Sequence, residues 1–547
     1  MESKTCRFSG KKFTVTEQER QCYERFGLPL PDIHPMERLR YCPAFYNAYV
    51  LQWTKDARTG KKILTNLDPK EFPVIYDNNY WMSSEFDARD YGREIDFTRP
   101  FFEQYKEMYW ATPQPNLTSI NNEDCDFCNY TVNSRHCYLT FHGPNNFNVH
   151  YSAMPWDSKD SIELFNSIAC ELSFQCVSST NCYNVAFAFF AANCRDSRFL
   201  YDCVNCSDCY QCVNLKHKQF CIQNKQYTEK EYRARMAEID LRSYKILAQE
   251  QAKWQEFLKD KPLRAQRNVN CENSDGVLMT NCRNCHRCDS LTDSDNCYNT
   301  FGREGADSAD SACFYSQNCT WAQGAMNSNN IYHTWATDYC YNIGYCQMVF
   351  NSHDLFGCYG VKKASFCILN KQYTEAEYKK LLPQLIAHMK KTGEWGQWFP
   401  YSISPFPYAD SSASGCFPPL SPEQAKRMGV RQGSIEVPLI NEKANSVLPD
   451  NLKDTGDEVL NQIFPCAKTG QPYKITKDEL EFHRQVGLAL PRWYWQPRIE
   501  QFYSYVPRIP FEAHCGLCGK EILSIEDPAQ IHRPVWCDEC FNKKFGA

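Results

Sequence analysis

Residues Asn193 to Cys221 read NCRDSRFLYDCVNCSDCYQCVNLKHKQFC. Sampled at every third position, the stretch gives Cys194, Ser197, Leu200, Cys203, Cys206, Cys209, Cys212, Leu215, Lys218 and Cys221. The positions between carry mostly Asn, Asp, Arg, Tyr, Phe and Gln. The same rule holds over a longer span: every third residue from Cys313 to Cys367 is uncharged and non-aromatic, drawn from Cys, Ser, Ala, Thr, Val, Ile and Leu. A helix repeats every 3.6 residues and a flat strand every two, so a period of three fits neither. A narrow β-solenoid does fit, because its lumen admits only small side chains.

A longer beat sets the coil. Asn181-Cys182-x-Asn184, Asn193-Cys194-x-Asp196 and Asn205-Cys206-x-Asp208 recur every twelve residues. They predict a coil of about twelve, with Asn and Asp turning the corners through Asx hydrogen bonds; a coil of eighteen stays open. The coil resembles that of small cysteine-lined antifreeze solenoids, and no shared function follows from this. Two such segments are expected, over 120–227 and 267–373, because each closes on nearly the same residues: FCIQNKQYTEKEY (Phe220 to Tyr232) and FCILNKQYTEAEY (Phe366 to Tyr378). Repetition at this scale marks stacked supersecondary units. Thr228-x-x-Glu231 and Thr374-x-x-Glu377 are capping boxes that open a helix after each segment. The first predicts a helical connector over 228–266 and the second a helix over 374–393. Residues 394–462, rich in Pro and Ser, predict a strap lashed by its aromatics onto the second solenoid.

The first 80 residues and the last 80 align with each other, within expected modules over 1–112, which adds a helix, and 463–547. Cys6, Ser9, Gly10, Phe13, Thr16 and Glu19 reappear 460 residues later as Cys466, Thr469, Gly470, Tyr473, Thr476 and Glu479. Each copy predicts a turn, a short strand and a capping-boxed helix that ends at Gly-Leu-x-Leu-Pro, with its Gly as C-cap. The last copy also carries Cys515-x-x-Cys518 and Cys537-x-x-Cys540 separated by 18 residues. Two CxxC knuckles joined by a hairpin present four thiolates tetrahedrally, so one structural Zn²⁺ is predicted on Cys515, Cys518, Cys537 and Cys540. His514 and His532 lie nearby and are read as solvated. In the N-terminal copy, Asp56, Thr59, Tyr76 and Asn79 stand where the cysteines should be, so that ribbon-like module is predicted to have lost its zinc ligands. The fold class is therefore mainly β: two cysteine-lined solenoids, each followed by a helix, flanked by two related α+β zinc-ribbon-like modules.

Composition bounds the function. The 547 residues include 32 cysteines and 14 % aromatics, with a net charge of −5. A globular protein of several units follows. The start is polar, with no secretory signal, and the longest apolar run, Val185 to Ala192, is far below the roughly 20 residues of a membrane span. A cytoplasmic protein with no membrane contact is expected, its thiols reduced. Of the cysteines, 23 fall in the two solenoid segments. Many sit six apart (Cys170/Cys176, Cys203/Cys209, Cys206/Cys212, Cys282/Cys288, Cys313/Cys319, Cys340/Cys346), facing across a twelve-residue coil. Packed thiols are the favoured state, with disulfides or a metal cluster as the alternatives.

Together, the end modules, the FCIxNKQYTxxEY closures and DYGREIDFTRPFFEQ (Asp90 to Gln104) resemble a group of bacterial cysteine-rich repeat proteins of about this length. The resemblance implies a zinc-ribbon-like module at each end and brings no established activity. Members carry fuller sets of paired cysteines, so Ser9, Asp56, Thr59 and Thr469 confine metal to the last module.

No phosphate loop, dinucleotide fingerprint, HExxH or nucleophile elbow occurs, and no catalytic residue is singled out. The first expectation is a non-enzymatic scaffold whose elongated surface meets a protein or ribonucleoprotein. Nucleic acid is weakly supported: the first 62 residues carry twelve basic against seven acidic side chains. The alternatives are a thiol reservoir for metal buffering or redox sensing, and an enzyme with a site between solenoid and end module.

Overall fold

The chain is mainly β. The computed structural model describes residues 2–165, 176–177, 186–190, 193–417, 419–434, 440, 442–505, 510–529 and 531–546. Stacked coils run over residues 119–368 as two parallel stacks, a 12-stranded one ending at Lys225–Gln226 and a 14-stranded one starting at Asp275–Val277. Expectations for Cys170, Cys182, the corner at 181–184 and the side chain of Cys176 lie outside the described residues.

The period of three is a backbone rule. Every third residue from Asn121 to Glu163 has φ between 46° and 60°, the left-handed region that non-glycine residues rarely enter. Away from the ends of the stack the residue after such a corner is buried: Cys194, Cys203, Cys206, Cys209 and Cys212 are 0–1 % exposed. The every-third positions from Cys313 to Cys367 are all buried too. Lys218 breaks the row in the first stack, and it is exposed, on the last coil.

Register gives the coil. Arg198 pairs with Tyr210 and Ser207 with Gln219, a step of twelve and hence four corners per turn. The second stack includes coils of eleven, with Asp295 beside Ala306 and Phe301 beside Ala312, before Gln317↔Asn329 restores twelve. The corner Asn and Asp residues do different work from that expected. Their side chains bond to the same corner of the next coil, as in Asn121 Nδ2 to Asn133 Oδ1 (2.7 Å), Asn193 to Asn205 (3.1 Å) and Asn330 to Asn342 (2.6 Å). Corners stacked in register bring amide to amide, so a ladder between coils forms.

The cysteines whose side chains are described are free thiols. Lumen thiols donate to carbonyls of the next coil: Cys206 Sγ to Leu215 O (3.6 Å), Cys212 Sγ to Cys221 O (3.5 Å), Cys340 Sγ to Val349 O (3.4 Å). Their sulfur neighbours are mostly not six apart. Cys206 lies against Cys203 and Cys209 on adjacent sides and against Cys194 one coil away, and Cys285 lies likewise against Cys282, Cys288 and Cys297. Cys313 and Cys319 are a six-apart pair that does meet. In a four-sided lumen, neighbouring walls are closer than opposite ones.

The FCIxNKQYTxxEY sequence is an end cap. Asn224 pairs through its amide with both backbone groups of Val213 (2.9 Å each), and Asn370 pairs likewise with Tyr359 (2.8 and 2.9 Å). Lys225–Gln226 and Lys371–Gln372 then fold back antiparallel on the last strand, covering an edge that would otherwise recruit other chains. Both capping boxes form, at Thr228 and Thr374. The helix Glu375–Thr392 stops at Gly393, φ 77°. The single helix expected over 228–266 is two, Glu229–Ala237 and Tyr244–Leu258, because Ser243 caps a new start by accepting from Ile246 N.

Each end segment reaches across to the far stack. Arg38, fully buried, lies 2.7 Å from Glu19 and pairs with the corner Asp310 of the second stack, whose Oδ2 also accepts from Tyr23 (2.7 Å). At 460 residues' distance, Arg498 lies 2.8 Å from Glu479 and pairs with the corner Glu163 of the first stack, while Tyr151 donates to Glu479 (3.1 Å). Tyr151 takes the carboxylate oxygen that the predicted capping box would use; at the other end Glu19 keeps its box while paired with Arg38. Thr476 still accepts from Glu479 N, but the Glu479 carboxylate is turned to Arg498 and Tyr151. Bulky corner residues fall at these contacts, as where Trp321 meets Tyr41 (5.9 Å) and Trp398 (5.7 Å). Among the described residues no helix is long and apolar enough to cross a membrane.

Candidate metal centre

The site grows from one small turn. The strands Phe511–His514 and Glu521–Ser524 form a hairpin whose tip folds tightly: Cys515 N donates to Lys520 O and Gly519 N to Cys515 O, both 2.9 Å. Gly519 takes φ 74°, which a side chain would oppose. Gly516 N donates to Val535 O (2.8 Å), bringing in the second knuckle. There Val535–Trp536 pairs in parallel with Leu263–Arg264, just before the second stack, and Cys537 caps the helix Asp538–Phe545.

All four predicted ligands come together. The Sγ atoms of Cys515, Cys518, Cys537 and Cys540 lie within 4.8 Å of one another, forming a group that can hold a metal ion. Cys518 and Cys537 are 3.9 Å apart, close to the ~3.8 Å edge of a tetrahedron with 2.3 Å metal–sulfur bonds. Cys537 N donates to Cys515 Sγ (3.3 Å) and Cys540 N to Cys537 Sγ (3.4 Å). Burial pushes the Cys515 thiol up, yet the N–H groups of Cys537, Cys518 and Leu517 outweigh it and bring it down to about 6. That favours the thiolate a metal needs. His514 and His532 are exposed outside the set.

The same turn recurs three more times. Cys6, Asp56 and Cys466 each donate N–H to a carbonyl five residues on and accept from a glycine, Gly10, Gly60 and Gly470, at 2.8–2.9 Å. The glycines have φ 72–74°. In the second of these a carboxylate fills the ligand position. Asp56 accepts from Thr59 N (3.1 Å), the Thr59 hydroxyl, Arg58 N and Asp77 N (both 3.3 Å). Burial raises its carboxyl, but these hydrogen bonds, led by the Thr59 hydroxyl, hold it below the ordinary value.

The alignment of the second knuckle needs correcting by one residue. Ile75–Tyr76 pairs with Gln114–Pro115 as Val535–Trp536 pairs with Leu263–Arg264, and Asp77 is the helix N-cap. Asp77 and Tyr80, rather than Tyr76 and Asn79, therefore occupy the places of Cys537 and Cys540. The Arg58 guanidinium lies 4.1 Å from the centre of the Tyr80 ring.

Sequence reading missed the second halves of the remaining two turns. Arg7 N donates to Asp32 O (3.1 Å) and Ala467 N to Arg492 O (2.8 Å), mirroring Gly516 and Val535. Two residues beyond each carbonyl stand His34 and Tyr494, where the metal-site turn has Cys537. Burial, helped by Arg287 and Arg38, brings His34 down to about 4, so it stays neutral. The absence of a second cysteine hid these half-turns.

No protein-family model matches the chain, and no curated protein matches it in sequence. Among solved structures, a candidate acetyltransferase from Desulfovibrio desulfuricans G20 is 10 % identical over 50 % of this chain and 69 % of its own, with a TM-score of 0.09. A score that low carries nothing about fold or activity.

Proposed function

We propose that the protein is a non-enzymatic scaffold, built by duplication, in which two zinc-ribbon-like end modules clamp two solenoids into one elongated body. A single Zn²⁺ on Cys515, Cys518, Cys537 and Cys540 closes the last module and fastens it beside the entrance to the second solenoid. The exposed solenoid faces then meet a protein or ribonucleoprotein partner in a reducing, cytoplasmic setting. The observation that supports this reading best is the buried arginine of each end segment, Arg38 and Arg498, paired with a corner carboxylate of the far stack. Such a contact holds rigid bodies in a fixed relation.

The thiol-reservoir alternative makes the opposite demand of the lumen. Thiols at 0–1 % exposure, such as Cys203, Cys206, Cys209 and Cys212, are poorly placed for exchange. Metal analysis and timed thiol labelling on natively purified protein separate the two. The scaffold requires one zinc per chain and lumen thiols that label only on unfolding. Several metals per chain, or fast labelling of the lumen, would instead establish the reservoir.

A further inference from the structure

One wall of the second stack faces solvent and changes character along its length. Its outward residues, one per coil in register, run from Arg283 and Asp295 through Gln317 and Asn329 to Tyr341 and His353. The first two pair with each other (2.6 Å). Further on, uncharged side chains and aromatic rings take over. Tyr339 is 61 % exposed, Tyr341 47 %, and Tyr315, two coils before Tyr339 on the same corner, 43 %.

Between two coils this wall opens into a cleft of about 450 Å³. One coil lines it with Asn327, Asn329 and Asn330, the next with Tyr339, Tyr341 and Asn342, and no lining residue is charged. The amides are held by the corner ladders. Asn318 Nδ2 donates to Asn329 Oδ1 (3.0 Å), Asn330 Nδ2 to Asn342 Oδ1 (2.6 Å) and Asn327 Nδ2 to Asp338 Oδ1 (3.1 Å). Among the described residues, the Asn329 amide nitrogen is left without an acceptor and the Asn327 and Asn330 oxygens without a donor. The cleft therefore offers both donors and acceptors, already oriented. Tyr341 is held as well: its ring stacks on His353, centres 4.6 Å apart and planes at 6°, leaving its other face to the cleft.

The coil itself does not need these rings. Counted back from the shared closures at Phe220 and Phe366, Tyr339, Tyr341 and Asn342 correspond to Asn193, Arg195 and Asp196 of the first stack. The corner there is the same, φ 53° at Asn193 against 51° at Tyr339, and Arg195 lies 3.7 Å from Asp196. The same backbone thus carries an ion pair in one stack and an uncharged aromatic cleft in the other. The exposed tyrosines are surplus to folding and available to a ligand.

We propose that this cleft binds a neutral oligosaccharide. A sugar ring lays its C–H face on Tyr341 and Tyr339, while its hydroxyls donate to the Asn327 and Asn330 oxygens and accept from the Asn329 nitrogen. A hydroxyl is both donor and acceptor, which is what mixed amide groups require. Two other polymers that lie on tyrosine rings fit less well. A nucleic-acid strand stacks its bases but needs cations for its phosphates, and none line the cleft. A proline-rich segment brings carbonyl acceptors without N–H donors, so the asparagine oxygens would stay unpaired.

Titration calorimetry of the full chain against maltohexaose, cellohexaose, chitohexaose and mannohexaose tests this. At least one is expected to fill a single site per chain, with an affinity that holds as salt is raised, because no counterions are released. The double variant Tyr339→Asn/Tyr341→Asn, which repeats Asn327 and Asn329 of the coil before, should weaken that binding about tenfold with Tm unchanged. Lack of a saturable site for all of these sugars, or undiminished affinity in the double variant, would overturn the inference. So would occupation of the cleft by oligouridylate or by a proline-rich peptide in place of sugar. If the double variant unfolds early, Tyr339→Asn alone decides by whether affinity drops, since Asn is native at that corner on the coils either side (Asn327 and Asn351).

Discussion

At the scale of the residue, the molecule depends on a few charges taken fully out of water. Arg498 is 4 % exposed, Glu163 1 % and Glu479 below that, so each relies on the others for solvation. The Arg498 guanidinium also lies over the Tyr151 ring, 4.4 Å from its centre. Buried ion pairs add little net stability over apolar replacements, but a broken one leaves a stranded charge. Arg498→Met should therefore cost about 3–5 kcal/mol in denaturant unfolding. Adding Glu163→Leu and Glu479→Leu to it should recover most of that loss. A single variant as stable as the parent would show that the triad is not closed in solution.

At the scale of the element, the coil is a compromise between backbone strain and packing. Each left-handed corner costs an L-residue roughly 1–2 kcal/mol, offset by the parallel hydrogen bonds and the sealed lumen that it makes possible. Asn205, at φ 53°, should thus tolerate Gly but lose about 1–2 kcal/mol as Val, which is β-branched and cannot join the amide ladder. The lumen has the opposite sensitivity. Cys209 is fully buried, so Cys209→Leu should overpack it and cost about 1–3 kcal/mol. Thermal unfolding of the three variants against the parent gives the ranking. Equal loss for Gly and Val at 205 would refute the conformational account.

At the scale of the whole molecule, the ends hold the middle. The hairpin at Phe511–His514 and the strand Val535–Trp536 sit against Leu263–Ala265, where the chain enters the second stack; Ile525 N donates to Ala265 O (3.0 Å). Asp538 also accepts from Arg267 N (3.0 Å) and Asn268 N (2.9 Å). Removing the proposed zinc should loosen this entrance, since structural metal binding contributes directly to folding. Limited proteolysis after chelation should open new cleavage around 511–545 and 263–270, and leave the first stack intact. Unchanged cleavage would mean that the four thiols hold their knuckles without an ion.

Much of this protein was written locally. The period of three announced the solenoid because lumen and corner alternate within a few residues, and the CxxC spacings announced the metal group because each knuckle closes on itself. The end-cap sequence was visible as a repeat, though its amide pairing with the preceding coil was not. What only the tertiary structure decided are the relations between distant segments. Arg38 finds Asp310 across 272 residues and Arg498 finds Glu163 across 335, distances at which no spacing rule operates. The one-residue shift to Asp77 and Tyr80 had the same cause: a segment without cysteines lacks the marks that align it, and strand pairing alone supplies them. The lumen thiols show the division most plainly. Sequence set their number and period, while the four-sided coil decided that most of those described meet neighbours three and twelve residues away, because adjacent walls of a narrow tube lie closer than opposite ones.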